Sequence, residues 1–290
     1  MRRVGLWLLL LIACAAPAWA EERITEFVSA ATVNADASLT VHETITAIAE
    51  GVEIRRGIFR DFPTTYTDTH GQRVTVGFEV QDVKRDGQAE PYVLEPIRNG
   101  TRIRMGNKDV FLNDGPHTYD ITYRTTRQIG FFAQYDELYW NVTGNAWPLP
   151  IETARAEIHL PDGADILQHA EYTGAYGENT GDARVITASG NDYAAETTRV
   201  LDPKEGFTVS VAWQKGILTP PSDTQKWRWW IFDNAGLFAL ALGLITSAGY
   251  FLFAWSRAGR DPARGTIIPL FTPPQGLSPA AMRYVTRYGA

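Results

Sequence analysis

The 290 residues are 44% apolar and 21% charged, a globular balance that excludes a disordered or collagen-like chain. With 33 acids against 27 bases the net charge is −6, so the chain lacks a basic footprint for nucleic acid, and no nucleic-acid partner is expected. Cys14 is the single cysteine and lies in the N-terminal apolar run, which excludes an intrachain disulfide, a CxxC zinc site and a cysteine nucleophile from the folded part.

The chain opens MRRVGLWLLLLIACAAPAWAEE. Arg2 and Arg3 precede an apolar run from Val4 to Ala16, and Ala18 and Ala20 have the small-x-small spacing of a signal-peptidase site, so residues 1–20 read as a cleaved signal peptide. A helix over that run would reach only about 20 Å, short of a hydrocarbon core of roughly 30 Å. Leu11-Ile12-Ala13-Cys14 offers an alternative, a lipobox that would leave Cys14 as a lipidated N-terminus.

Residues 21–214 alternate with a period of two. Val74, Val76, Phe78 and Val80 share one face, as do Tyr119, Ile121 and Tyr123; Ala154, Ala156, Ile158 and Leu160; and Phe207, Val209, Val211 and Trp213. Asp86-Gly87, Asn99-Gly100, Asp114-Gly115 and Asp162-Gly163 supply turns between such runs. The pattern predicts an all-β, antiparallel sandwich of one or two lobes. Pro148 and Pro150 would interrupt a central strand, so the expected internal boundary lies near 148–150.

Residues 215–234 read as a juxtamembrane linker, with Pro220-Pro221-Ser222-Asp223 as a stiff spacer. Residues 235–255 carry no charge and as a helix would reach about 31 Å, enough to span a bilayer, with Trp227, Trp229, Trp230 and Phe232 on one edge and Tyr250 and Trp255 near the other. Arg2 and Arg3 at one end and five arginines after Trp255 at the other leave the stretch between them more acidic than the whole chain. Export of the N-terminus then puts the β domain outside a plasma membrane and residues 256–290, a proline-rich linker and the start of a helix at Ser278-Pro279, in the cytoplasm.

RRGIFRDFP (55–63), YDELYWNVTGNAWPLPIETARAEIHLP (135–161) and GRDPARGTIIPLFTPPQGLSPAAMRYV (259–285) together resemble a bacterial family of predicted membrane proteins, domain of unknown function 2207. The resemblance implies an exported β domain on a membrane anchor in a bacterial plasma membrane, and no established activity, so no catalytic residue is carried over. Members of that family usually continue into further hydrophobic helices, so this chain is expected to be truncated at its C-terminus.

Three sets of residues invite chemistry. Arg55, Arg56, Arg60 and Asp61 surround Gly57-Ile58-Phe59 and suit an anion- or carboxylate-binding loop with arginine forks, or else an internal charge cluster of Arg60 with Asp61, or Arg55 with Glu53, that stiffens an edge. Tyr135, Tyr139, Trp140 and Trp147 suit an aromatic platform for glycan rings, or the core. Asp136 and Glu137 are the adjacent acids that a glycan hydrolase would need, although neighbours on a strand point to opposite faces. The five histidines show no metal-ligand spacing, and no metal or cofactor is expected. The leading expectation is a noncatalytic module that binds an envelope protein or glycan. An envelope glycan hydrolase and an assembly module of a membrane complex are the alternatives.

Overall fold

The computed structural model describes residues 21–67, 71–260, 265 and 275–287. The leader with Cys14, His70 and most of the tail between 261 and 274 lie outside the described residues. The chain divides into two compact units, Met1–Asn234 and Ala235–Ala290.

In chain order the first unit runs β1 (Arg23–Val33), β2 (Leu39–Ala49), β3 (Phe59–Pro63), β4 (Thr65–Thr67), β5 (Arg73–Thr75), β6 (Phe78–Arg85), β7 (Gln88–Ala89), β8 (Tyr92–Ile97), β9 (Gly100–Met105), β10 (Gly115–Thr125), β11 (Ile129–Phe131), β12 (Tyr135–Asn141), β13 (Ile151–His159), β14 (Ile166–Gly174), β15 (Ala183–Ser189), β16 (Asp192–Thr197) and β17 (Gly206–Gln214). It closes with helix α1 (Asp223–Asp233). An eight-stranded sheet has the order β15-β16-β13-β1-β2-β10-β6-β7, and a four-stranded sheet the order β11-β12-β17-β14. Smaller sheets, β3-β9-β8 and β4-β5, complete the layers.

The alternation fixes the core. Tyr119, Ile121 and Tyr123 on β10, and Phe207, Val209, Val211 and Trp213 on β17, are fully buried, while their neighbours on β10 turn outward. On β17, which lies between β12 and β14, Ser210 and Ala212 are buried as well, so that strand is covered on both faces. The 74–80 run is split at Val76-Gly77 into β5 and β6. One pairing departs from the antiparallel expectation, because β13 lies parallel to β1 with Ile151 opposite Ile24. Pro148 and Pro150 sit in the crossover from β12 to β13, and Pro150 O accepts from Ile24 N at 3.0 Å, next to the first pair of that register. They therefore join strands of one unit.

Residues 215–234 are more ordered than a spacer. Ser222 caps α1 by accepting from Gln225 N at 3.2 Å, and Asp223 adds the favourable first-turn charge.

In the second unit α2 (Ala235–Ala254) continues as one π-helical turn, Trp255–Gly259. Together they are long and apolar enough to cross a membrane. Helix α3 (Pro279–Arg287) begins after Ser278, whose hydroxyl accepts from Ala281 N.

Candidate functional site

The segment 55–63 divides its charged residues between two sides of the small β3-β9-β8 sheet. Arg60 points inward and is only 4% exposed. Its Nε and Nη2 donate to the two oxygens of Glu43, each at 2.7 Å, while Nη1 donates to Thr143 O at 2.9 Å and Nη2 to Val142 O at 3.2 Å. Glu43 is fully buried on β2 between Val41 and Ile45 and also accepts from Tyr123 Oη at 2.7 Å. Burial opposes the charge on Arg60, but the paired Glu43 overrides it and raises the guanidinium above its ordinary value. Burial and the Glu43 charge push the Tyr123 phenol far up. The Arg60 fork is thus consumed inside the core and not offered on the outer side. Its carboxylate partner is Glu43; from the adjacent Asp61 it takes only the backbone carbonyl, which accepts from Nη1 at 3.1 Å.

The outer side is different in kind. Across the three strands, Phe59 lies opposite Arg104 and then Val93, and Asp61 opposite Arg102 and then Glu95. Asp61 accepts a bidentate fork from Arg102 at 2.6 and 2.8 Å, and Arg104 Nε donates to Glu95 at 2.9 Å. Phe59 is half exposed beneath Arg102. Arg55 is exposed, its Nε donating to the carbonyls of Gly51 and Val52. Arg56 stacks on the exposed ring of Phe111 at 4.2 Å and has no carboxylate within ion-pair distance among the described residues.

Two features hold this edge in shape. Gly57 and Gly106 both have positive φ, and a Cβ on Gly57 would fall 1.8 Å from Met105 O, so the two backbones cross too closely for any side chain. Upstream, the Glu22 carboxylate accepts from the backbone N–H groups of Glu50, Val52, Glu53 and Ile54, which folds the 50–54 turn around it. Burial works to raise the Glu22 pKa, but the four donors outweigh it and hold the carboxyl below the usual range.

Two hollows flank Phe59. One, of about 210 Å³, is lined by Ile58, Arg60, Asp61, Arg102, Trp147 and Leu149 among others. The second, of about 300 Å³, is lined by Arg55, Arg56, Arg104 and Lys108 against a single carboxylate, Glu53. A cationic hollow on an acidic domain is suited to an anionic group, and the sequence left Arg104 and Lys108 unnoticed because they come from β9 and the turn after it. A larger hollow of about 590 Å³ lies between α1 and the β domain. Its arginines are already paired, Arg124 with Asp36 and Arg127 with Asp233.

The other candidate sets are not assembled. Trp140 and Trp147 are buried, donating to Ser29 Oγ at 3.1 Å and Thr143 O at 2.9 Å. Tyr135 and Tyr139 sit on the opposite face of β12, against Phe132 and Tyr172. The four rings therefore form no common platform. Asp136 is fully buried and accepts from Lys215 Nζ at 2.6 Å, whereas Glu137 on the other face accepts from Ser210 Oγ. The two carboxylates do not face one another across a cleft.

Residues 23–213 match the family described as predicted membrane protein (DUF2207) N-terminal domain. The chain belongs to that family. Over 209 residues it is 30% identical to the uncharacterized protein YciQ of Escherichia coli (strain K12), covering 71% of this chain and 32% of YciQ. The chain therefore spans about a third of the length of that relative. Among solved structures, yeast LTA4 hydrolase in complex with bestatin has a TM-score of 0.44 at 12% identity, covering 70% of this chain and 32% of the hydrolase. An M1 zinc metallopeptidase from Deinococcus radiodurans has a TM-score of 0.38 at 13% identity, covering 65% and 42%. Likeness at that level bears on neither the fold nor the activity of this chain.

Proposed function

We propose that the β domain is a noncatalytic recognition module, held on the extracytoplasmic side of a bacterial plasma membrane, that binds an acidic group of another envelope component. The observation that carries this reading is the hollow lined by Arg55, Arg56, Arg104 and Lys108. Arginine forks bind carboxylates and phosphates bidentately, and Arg56 is presented on Phe111 without a carboxylate among the described residues to neutralise it. The neighbouring Phe59 and Val93 supply exposed apolar contact on the same outer face, the combination that marks interface anchors. The carboxylates at 136 and 137 point apart, so no second reading of the site is favoured.

A photo-crosslinking residue in place of Phe111, in the full chain in its native membrane, tests the reading. It should trap one discrete envelope component, and replacing Arg55 and Lys108 with Ala should abolish the adduct. An adduct that survives those substitutions would overturn the assignment of the hollow.

A further inference from the structure

The juxtamembrane helix α1, DTQKWRWWIFD, is built with two faces. Residues four apart share one face of a helix; Trp229 and Asp233 are turned to the β domain, and the exposed Gln225, one turn earlier, stands on the rim of the hollow between α1 and that domain. Asp233 is the clasp. Its Oδ2 accepts from Arg127 Nη2 at 2.8 Å, and its Oδ1 accepts from Arg127 Nη1 and from Thr75 N, each at 3.1 Å. Arg127 Nη1 also donates to Thr75 O at 2.7 Å, and its guanidinium lies 4.6 Å from the centre of the Trp229 ring. Arg127 and Asp233 are both largely buried by this contact. The side away from the domain carries Trp227, Trp230 and Ile231, which are 63%, 41% and 43% exposed, with Trp227 and Trp230 packed edge to face, and Phe232, 69% exposed, stands at its margin beyond Arg228.

Such a run of large exposed apolar side chains would be costly against water. What covers it follows from the chain itself. A single residue, Asn234, separates α1 from Ala235, where the apolar span begins. Each headgroup layer is about 5–7 Å thick. An upright α1 would carry Trp227 roughly 12 Å beyond the hydrocarbon edge, at 1.5 Å per residue, and leave it in water. Lying in the headgroup layer, α1 instead buries the outward residues together, with Arg228 free to reach lipid phosphates. We propose that α1 is an interfacial latch, held on the β domain by Asp233, Arg127 and Trp229 and sunk by its Trp227, Trp230 and Ile231 face into the lipid headgroup layer, so that the domain is seated on the bilayer surface.

The test uses the full chain with Cys14→Ser, reconstituted in vesicles of phosphatidylethanolamine and phosphatidylglycerol and spin-labelled at Trp227→Cys, Ile231→Cys or Gln225→Cys. Collision rates with oxygen and with a water-soluble nickel chelate report depth. The labels at 227 and 231 should favour oxygen over nickel, as a label at Leu237→Cys in the span does, while the label at 225, on the rim of the hollow, reaches nickel but gives a motionally restricted spectrum. Adding Asp233→Asn should release that restriction and narrow the spectrum at 225. Preference for nickel at 227 would overturn the lipid-facing half, and an unchanged spectrum at 225 on adding Asp233→Asn would overturn the clasp.

Discussion

Arg56 and Arg60 stand four residues apart in one short signature and have opposite work. Arg60 spends its whole fork on Glu43 and the carbonyls of Val142 and Thr143 inside the core, tying the small sheet to β2 and to the turn after β12. Arg56 has an aromatic ring beneath it and solvent beyond. The difference teaches that arginine density in a segment is not a measure of its binding capacity. What decides is where the partner carboxylate lies, and for Arg60 it lies in the core.

The sharpest way to break this contrast is to remove one half of the buried pair. Arg60→Ala leaves Glu43 charged without its partner and should cost about 3–5 kcal/mol, read as a lowered urea midpoint of the full chain in detergent. Replacing both members with apolar residues, Glu43→Leu with Arg60→Met, should cost clearly less, since no isolated charge remains. Next in size, Gly57→Ala drives a methyl group into the Met105 carbonyl at a positive φ and should cost at least about 1–3 kcal/mol in the same assay.

A smaller effect appears in pH. The Glu22 carboxyl is held below its ordinary pKa, so its contribution to stability is complete above the unfolded value. It is lost as pH falls from about 4.3 through the lowered folded value. Glu22→Gln should remove that part of the acid limb from a stability-versus-pH curve, and an unchanged limb would show that the 50–54 turn does not depend on the carboxylate. Smallest of all on stability, Arg56→Ala should shift the midpoint by no more than about 0.5 kcal/mol, as surface changes do.

Much of the fold was legible because local periodicity and burial coincide in it. Tyr119 to Tyr123 and Phe207 to Trp213 are alternating runs whose apolar series became the core, and the charge-free helix from Ala235 is plain from composition. The site was harder, since it depends on pairings across the chain. Glu43 falls in phase with Leu39, Val41 and Ile45 in LTVHETITAIA, which marks a carboxylate aimed inward, yet nothing local names Arg60 as its partner. Asp136 shares its phase with Leu138 and Trp140, and that phase alone separates it from Glu137. Helix α1 was hidden by the prolines before it, although Ser222 and Asp223 were there as a start signal.

In the proposed function the outer arginines recognise a partner, while the inner one holds the fold through Glu43. The most direct measurement pairs two readouts on the Arg55→Ala, Arg56→Ala double variant of the full chain: adduct yield from a crosslinker at Phe59 in native membranes, and the urea midpoint in detergent. The adduct should disappear while the midpoint stays within error of the parent. An undiminished adduct on an equally stable protein would contradict that division of roles.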